Sequence, residues 1–379
     1  MAAYHHGIRI NEITTGTRPM TDISSAVIGL VAISDDAEDT VFPLDTPVLI
    51  TNLTEAIGKA GVAGTLAPSL KAIADQVIAP VIVVRVEEGA DDDATEDNII
   101  GTTLASGART GLQAMLVAEA YTGQRPRILG VPGYDSKAVA TELATVAQQL
   151  RAFAYARTIG NSIAELSAYR EDFSARELML IDGEFTDFAG SAIARALGLR
   201  AKIDMQIGWH KTISNVGING VTGVETPRSF SVLSSDVTDA SLLNDADITV
   251  LARRDGYRFW GNHTCSDEPM FGFESAVRTS HALQDIIAEG LVWAIDKPIT
   301  THLIRDIVET VNAKFRSLKA QGLIIGAEAW FDPAANPAEA LAAGKIMIDY
   351  EYTPCAPAES LTINQRITDK FYGSIADSL

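Results

Sequence analysis

Histidine, cysteine and aspartate stand at every second position between residues 263 and 267. Alternate positions of an extended strand share one face, so His263, Cys265 and Asp267 would present an imidazole, a thiol and a carboxylate together. Zinc in proteins is bound by these groups. A zinc site needs further ligands, however, and no second pair with the usual spacing stands nearby in the sequence. We therefore expect a polar knuckle that satisfies the turn after Trp260, and no metal.

Motifs for other chemistry are absent from the sequence. There is no Gly-x-Gly-x-x-Gly fingerprint, no Gly-x-x-x-x-Gly-Lys phosphate loop and no Gly-x-Ser-x-Gly nucleophile elbow. His5 and His6 are adjacent, and adjacent side chains on an extended segment point to opposite sides, which favours a structural role over metal binding. The 6 histidines give no ordered Ser-His-Asp triad. We predict no catalytic residue and no cofactor.

Composition limits the partners. The 379 residues carry a formal net charge of -19, which would repel DNA and anionic membranes and keep a free subunit soluble. Cys265 and Cys355 allow one disulfide, but two thiols in a chain of this length are more typical of a reducing compartment. The longest apolar run, near Val77–Val84, is far shorter than the roughly 20 residues of a membrane helix. We expect neither a secretory signal nor membrane insertion.

The first half of the chain alternates strand-like and helix-like segments, which predicts an α/β sandwich with a largely parallel sheet. The run Val81–Val84 is typical of a central parallel strand. The acidic stretch Glu87–Asp97 indicates a solvated loop. The other predicted strands are Ala26–Ile33, Val48–Thr51, Arg127–Val131 and Leu178–Ile181, and the predicted helices are Lys137–Tyr155 and Asp187–Leu199.

The second half shows an α+β pattern. Ile248–Arg253 and Tyr257–Trp260 flank Asp255-Gly256 as a hairpin, because Gly takes the positive φ of a tight turn. Helices over about Glu274–Ala294 and Thr300–Gln321 precede strands over Leu323–Phe331 and Lys345–Tyr352, with a small Pro-Ala-rich helix between the strands. Both ends of the chain alternate apolar and polar residues and predict extended arms.

The predicted fold class is thus α/β plus α+β: an α/β sandwich domain with a mixed sheet, a C-terminal α+β domain, and extended N- and C-terminal arms. The predicted division is an arm over 1–18, an α/β domain over 19–205, an α+β core domain over 206–358 and a strand or arm over 359–379. A second arrangement stays open, in which the arms and the C-terminal half form one inner domain and the α/β half points outward.

The hairpin region also carries a family resemblance. The stretch Asp255–Pro269 resembles the GYRxWGNRT-type signature of contractile phage tail sheath proteins, a family that includes myophage and R-type pyocin sheaths and is related to type VI secretion sheaths. His263 stands where that family usually has Arg. The matching signature residues are Gly256, Tyr257, Trp260, Gly261, Asn262 and Thr264. Further similar segments follow in family order, namely Tyr4–Gly7, Ala26–Leu30, Pro47–Thr51, Arg109–Ala114 and Ile363–Asp369.

The resemblance implies a structural protein and not an enzyme. Family members form hexameric rings stacked helically around an inner tail tube, between a baseplate and a tail terminator, without direct contact with nucleic acid. A metastable extended lattice contracts and drives the tube through the bacterial envelope. The implied location is the virion, with assembly in the host cytoplasm. On the residues alone, an α/β enzyme and a soluble binding module without a polymer stay open as alternatives.

Two surfaces follow from the resemblance. The helix over Thr300–Gln321 would face the inner tube, although a solvated polar face is the common alternative. The arms would add strands to a neighbour's sheet, although frayed or self-docked termini are the common alternative. The predicted tube-facing residues are Arg305, Glu309, Lys314, Arg316 and Lys319. The predicted arm residues are Ile8, Ile10, Glu12, Leu361, Ile363, Gln365 and Ile367.

Overall fold

The computed structural model of the chain describes residues 20, 24–233 and 237–372. The strands are β1 (Ile28–Ile33), β2 (Val48–Ile50), β3 (Val81–Val86), β4 (Ile128–Gly130), β5 (Phe153–Arg157), β6 (Leu178–Asp182), β7 (Gly217–Ile218), β8 (Thr249–Arg253), β9 (Tyr257–Trp260), β10 (Ile324–Trp330) and β11 (Asp349–Pro354). The helices are α1 (Leu53–Lys59), α2 (Leu66–Ala74), α3 (Asp92–Ile100), α4 (Gly111–Ala114), α5 (Ala118–Thr122), α6 (Lys137–Leu150), α7 (Ile163–Glu171), α8 (Ser191–Gln206), α9 (Asp239–Asp245), α10 (Glu274–Leu291), α11 (Thr301–Ala320) and α12 (Ala338–Ala342).

One sheet of nine strands organises the first two thirds of the chain, in the order β2-β3-β1-β4-β5-β6-β8-β9-β7. The strands from β3 to β8 in this order are parallel to one another, whereas β2, β9 and β7 are antiparallel to their neighbours. This confirms the predicted mixed sheet with helices. The strand β3 is parallel and fully buried as predicted, but it lies beside the edge strand β2 and not at the centre.

Helices cover both faces of this sheet, which explains why its strands are near-continuous apolar runs. On one face, Leu30 and Val83 pack with Leu197 of α8. On the other face, Val31 and Val84 pack with Leu143 of α6. Two apolar clusters on opposite faces hold β1 and β3 fully buried and fix their register.

The acidic segment predicted as a loop is partly a helix. Asp91 accepts a hydrogen bond from the Ala94 backbone N–H at 2.8 Å and so caps α3. Asp92 and Asp93 then occupy the first turn of α3, where the positive end of the helix dipole favours carboxylates. The acidic run therefore starts a helix, and the prediction of a loop over Glu87–Asp97 was wrong from residue 92 onward.

The predicted helix over Lys137–Tyr155 also needs correction. The helix α6 ends at Leu150, and Arg151 takes a left-handed conformation with φ 51°. The chain then turns back into β5, which pairs with β4 from Phe153 to Tyr155. The helix predicted over Asp187–Leu199 exists as α8 but is shifted, because Glu184 accepts from the N–H groups of Gly190 and Ala192 and fixes its start.

The sheet crosses the boundary predicted between residues 205 and 206. The strands β7, β8 and β9 follow residue 206 in the chain, yet β8 pairs with β6 and completes the sheet. The change of architecture comes after β9. The elements α10, α11, β10, α12 and β11 follow there and are called the C-terminal module below.

The C-terminal module has its own apolar cluster, built by α10, α11 and the antiparallel pair β10–β11. Phe315 of α11 lies in it, and Met20 is buried there as well. Thr300 caps α11 by accepting from the Leu303 N–H at 3.2 Å, and Gly322 follows its end with φ 76°, the left-handed conformation typical of a helix C-terminus. Among the residues that the structure describes, no helix has the length and apolarity needed to cross a bilayer.

The two predicted arms have different outcomes. The N-terminal arm over 1–18, with Ile8, Ile10 and Glu12, lies outside the described residues. The C-terminal segment is described to residue 372, and Leu361–Ile367 forms no strand in the single chain. A strand that needs a neighbour's sheet would not form in an isolated copy, so this finding leaves the arm hypothesis open.

Candidate assembly surfaces

The signature residues form the hairpin β8–β9 and the turn that follows it. Asp255 and Gly256 both take positive φ, at 47° and 96°, as the predicted tight turn requires. Tyr257 then packs edge to face on Phe185 at 6.0 Å between ring centroids, and Phe259 is fully buried in the same cluster. On the other face of the hairpin, Trp260 packs edge to face on Phe230 at 4.8 Å between ring centroids. The predicted hairpin is confirmed, with Tyr257 and Phe259 on one face and Trp260 on the other.

The next signature residues join the hairpin to α10. Gly261 has φ 139°, and a Cβ there would lie 2.7 Å from Cα of Thr249, so only glycine fits without displacing β8. The backbone carbonyl of Asn262 accepts from the Glu274 N–H at 3.0 Å. Thr264 donates through its hydroxyl to the carbonyl of Phe271 at 2.8 Å. The signature therefore fixes how the sheet is joined to the C-terminal module.

The structure does not bring the three candidate metal ligands together. Cys265 is buried in the apolar cluster beneath α6, and burial raises the pKa of its thiol to about 12. His263 instead lies between two carboxylates, 2.7 Å from Asp247 and 2.9 Å from Glu359. Across residues 24–233 and 237–372, no group of three or more possible ligands is arranged for a metal. Cys265 and Cys355 are both free thiols.

Four of the five predicted tube-facing side chains on α11 are exposed. They are Arg305, Glu309, Arg316 and Lys319. Lys314 is the exception and is a correction to the predicted set. It is only 9% exposed and donates through Nζ to the carbonyl of Met20 at 3.1 Å, so it belongs to the core side of the helix.

The side of α11 that meets β10 is also polar in part. Asn312 donates through Nδ2 to the carbonyl of Ala329 at 2.7 Å and accepts from the Ala329 N–H at 2.8 Å. This pair of bonds satisfies one backbone position of β10 that points away from β11. Asn312 therefore holds the small sheet on the helix, although its spacing from Arg305, Glu309 and Arg316 places it on the same side as these exposed residues.

The C-terminal segment exposes large apolar side chains. Leu361, Ile363 and Ile367 are 82%, 80% and 100% exposed, and Gln365 between them is exposed as well. Soluble proteins seldom present several aliphatic side chains in a row to water unless a partner covers them. These side chains are therefore a candidate contact surface.

An apolar groove in the C-terminal module is a second such surface. It has a volume of about 730 Å³ and lies between α10, α11 and β11. Leu291 and Ile307 line its helical side, and Ile348 and Tyr350 line the side of β11. Within the described part of the chain, the sheet beside this groove has two strands only.

A buried charged stripe on α10 was missed by the sequence reasoning. Glu274, Arg278, His281 and Asp285 are all buried, although they are titratable. Their spacing of four, three and four residues places them on one helix face, and this periodicity is the signal that could have identified them. The stripe faces the large sheet, so α10 joins the two parts of the molecule.

The first half of the stripe is paired with α8 and β5. Glu274 lies 3.0 Å from Arg200 and accepts from the Tyr155 hydroxyl at 2.6 Å. Arg200 also pairs with Asp204 at 2.7 Å, and Arg278 bonds to the same aspartate. Burial acts to raise the pKa of Glu274, but Arg200 and Arg278 outweigh it and hold that pKa below the ordinary value.

The second half of the stripe is paired around Asp285. Its carboxylate bonds to Arg127 and lies 2.8 Å from Nε of Arg151. Burial lowers the pKa of Arg127 to about 10, and the charge of Asp285 acts against that. Arg127 also donates to the carbonyl of Leu150 at 2.5 Å, at the end of α6. Asp285 thus fastens α10 to the edge of the helical layer.

Comparison with known proteins gives the same assignment over the whole chain. Family models match for the phage tail sheath protein central domain over 107–265, the phage tail sheath C-terminal domain over 266–368, and the tail sheath protein Gp18 domain III N-terminal region over 26–86. The change from one model to the next at residues 265 and 266 falls between β9 and α10, where the architecture changes.

Relatives and solved structures agree with these models. The chain is 53% identical to the tail sheath protein of Escherichia phage P2 across 100% of this chain and 99% of that protein. It is 45% identical to the major tail sheath protein of Serratia phage KSP20, across 99% and 98% of the two chains. Its fold resembles the helical sheath of the anti-feeding prophage in the contracted state, with a TM-score of 0.71 at 16% identity, covering 96% of this chain and 98% of that one. The likeness to that structure concerns the fold. An α/β enzyme is not supported by these relatives, and the chain belongs to the contractile phage tail sheath family as a structural sheath subunit.

Proposed function

We propose that this sheath subunit is linked to its neighbours by its terminal segments, and that the linked copies form six-fold rings stacked into a helical tube. The observation that carries the proposal is the row of exposed aliphatic side chains at Leu361, Ile363 and Ile367. Burying one such side chain contributes roughly 1.5–3 kcal/mol, so leaving all three in water forfeits a substantial stabilisation. A neighbouring copy would recover it.

The two-stranded sheet of the C-terminal module is the site on a neighbour that fits such a segment. A sheet of two strands is marginal alone and gains stability from each strand added. An extended segment beside β10 or β11 would make main-chain hydrogen bonds, each contributing about 1 kcal/mol net, while its alternate side chains enter pockets. The groove beside β11, with Ile348 and Tyr350 on one wall, is apolar enough to receive them.

A polymer linked in this way can store work without a nucleotide. Subunits joined by extended segments can rotate relative to one another while the links persist. The lattice then has two arrangements, and a collective shift to the one of lower free energy shortens the sheath. This shortening would drive the inner tube through the bacterial envelope. The absence of a phosphate loop in the sequence is consistent with such a mechanism.

The exposed face of α11 is the proposed contact with the inner tube. Arg305, Arg316 and Lys319 make it basic in a chain whose net charge is -19, so an acidic tube surface would attract it. Glu309, 3.9 Å from Arg316, would orient that guanidinium. A solvated face remains the competing explanation, and charge reversal separates the two. The baseplate, the tail terminator and the virion location are proposed from the family resemblance.

Removal of the terminal segments tests the linkage. Chains lacking residues 361–379 should remain soluble and folded, because residues 361–369 are exposed, but they should form no tubes in electron micrographs. Chains lacking residues 1–18, the other proposed arm, should likewise stay soluble and form no tubes. Intact chains should form hollow cylinders or rings. Tubes of normal length from both truncated chains would contradict the proposal.

A matched pair of variants separates the aliphatic side chains from the length of the segment. Serine at Leu361, Ile363 and Ile367 should abolish polymerisation. Alanine at the intervening Thr362, Asn364 and Arg366 should leave tubes largely intact, because these side chains alternate to the opposite side of an extended strand.

A further inference from the structure

The root of the C-terminal arm, residues 355–359, is docked on its own subunit. The carbonyl of Cys355 accepts from the Ser275 hydroxyl at 3.3 Å. Glu359 lies 2.9 Å from Nε2 of His263. The root forms one wall of a cleft of about 440 Å³ whose other wall includes Trp260 and Asn262 of the hairpin region. A few hydrogen bonds therefore fix the direction in which the arm leaves the subunit.

His263 is bonded at both ring nitrogens, and both partners are carboxylates. Nδ1 lies 2.7 Å from Asp247 and Nε2 lies 2.9 Å from Glu359. An ionised carboxylate accepts hydrogen bonds only, so both nitrogens must donate, and only the imidazolium carries a proton on each. In the neutral ring one nitrogen would direct its lone pair at a carboxylate. The observed geometry is therefore that of protonated His263.

The charged groups around the ring make one of the two bonds easier to lose. Asp247 is held from behind by Arg170 at 3.0 Å and sits in a tight turn with φ 57°. Phe273 packs edge to face on the ring at 5.0 Å and limits its rotation. Glu359 lies on an exposed segment without regular secondary structure, where its backbone N–H donates to the carbonyl of Pro357 at 2.9 Å. Asp247 is thus the more firmly held of the two partners, and Glu359 is the one whose bond the structure leaves easier to lose when the ring gives up a proton.

We propose that His263 is a proton-operated clasp that holds the root of the C-terminal arm against its own subunit when protonated and releases it when neutral. The clasp rests on the proposed function for the role of the arm, because a released root changes the direction from which the arm reaches a neighbour. It is local, since it involves Glu359 on the arm and Asp247 with Arg170 on the body.

The pH window follows from the surroundings of the ring. The bond to Asp247 raises the pKa of His263, burial opposes this, and Glu359 raises the pKa further, with a net rise above the ordinary 6.5. When the pKa of a group is higher in the folded protein than in the free side chain, the protonated group stabilises the folded contact. This stabilisation is complete below the ordinary pKa and is lost as the pH rises through the pKa of the folded protein. The clasp is closed at and below pH 6.5 and opens on the alkaline side.

Hydrogen exchange in the soluble, unpolymerised full-length chain tests the clasp. After correction for intrinsic rates, the amide of Glu359, which donates to the carbonyl of Pro357, should exchange about fivefold faster near pH 9 than near pH 6, the factor that corresponds to about 1 kcal/mol for a partly exposed charge pair. The variant H263R should stay protected at both pH values because arginine remains charged. The variant E359Q should exchange fast at both.

A nearby carboxylate supplies the matched control. Glu351 is exposed on β11 and does not contact His263, so E351Q should show the same pH dependence as the wild type. Equal wild-type rates at the two pH values, or an unchanged profile in E359Q, would overturn the clasp. These rates are measured on the unpolymerised chain. If the truncated chains still formed tubes, the arm linkage would be wrong, but the clasp would not be affected.

Discussion

At the scale of single residues, buried ion pairs determine how the helices of this molecule are joined. Arg200 is fully buried, and its guanidinium is stabilised chiefly by the carboxylates of Asp204 and Glu274. Removing one partner of a buried pair leaves the other charge uncompensated, which costs far more than loss of a surface pair. The joint between α8 and α10 therefore depends on Glu274.

The first prediction concerns this carboxylate. The variant E274Q should lower the free energy of unfolding by about 3 kcal/mol, because Arg200 loses a charged partner. The variant Y155F removes one hydrogen bond to Glu274 and should cost about 1 kcal/mol. Denaturant unfolding of the soluble subunit measures both, and E268Q on an exposed residue should change nothing. A cost for E274Q no larger than that of E268Q would contradict the assignment.

The same carboxylate gives a pH dependence. The folded pKa of Glu274 is below its ordinary 4.5, so its contribution is present above that value and is lost as pH falls through the folded pKa. The wild type should lose stability steeply in acid, and E274Q should show a shallower acid limb. Parallel limbs for the two proteins would argue against Glu274 as an acid-labile group.

At the scale of the element, the sequence predicted those strands and helices whose limits are set by nearby residues. The hairpin β8–β9 and the helix α11 were predicted because turn glycines and caps act within a few residues. The start of α3 was missed because an acidic run also suits a solvated loop. The strand β5 was assigned to α6, since Phe153 and Ala154 continue an alanine-rich helical pattern and only pairing with β4 decides between them.

The wrong assignment of Lys314 to the exposed face follows from its spacing along the helix. Lys314 is nine residues beyond Arg305, or two and a half turns, which places it on the opposite side of the helix. Its burial follows from that spacing. The same spacing argument could have identified the stripe on α10. Its partners on α8 and β5, before β4 and after α6 come from distant parts of the chain, so only the fold reveals them.

The prediction for α11 concerns its exposed basic face. The double variant R316E and K319E should fold normally but fail to assemble on inner tubes, because the charge of the contact is reversed. Sheath assembly in the presence of purified tubes, followed by electron microscopy, measures this. The same reversal at Arg253 and Arg254, on the exposed tip of the hairpin, controls for net charge. Normal assembly of the R316E and K319E variant would show that the face is merely solvated.

At the scale of the whole molecule, α10 connects the large sheet to the C-terminal module. The large sheet and the C-terminal module each have an apolar cluster. The charged stripe of α10 connects them, with Glu274 at one end and Asp285 at the other. In the proposed lattice, where the arms link neighbouring subunits, this connection would have to resist bending, because deformation within a subunit would absorb the displacement passed between subunits.

The last prediction tests this connection at Asp285. In D285N the shape of the side chain is kept, but Arg127 and Arg151 lose their shared carboxylate, at a cost of about 3 kcal/mol. The loss falls at the joint, so the C-terminal module should open before the sheet. Hydrogen exchange should then increase in α11 and β10 at denaturant concentrations that leave β1 and β3 protected, whereas the wild type should open both together. The variant D306N, on an exposed position of α11, should behave as the wild type. If D285N still opened as one unit at the wild-type midpoint, the apolar contacts alone would hold the two parts together.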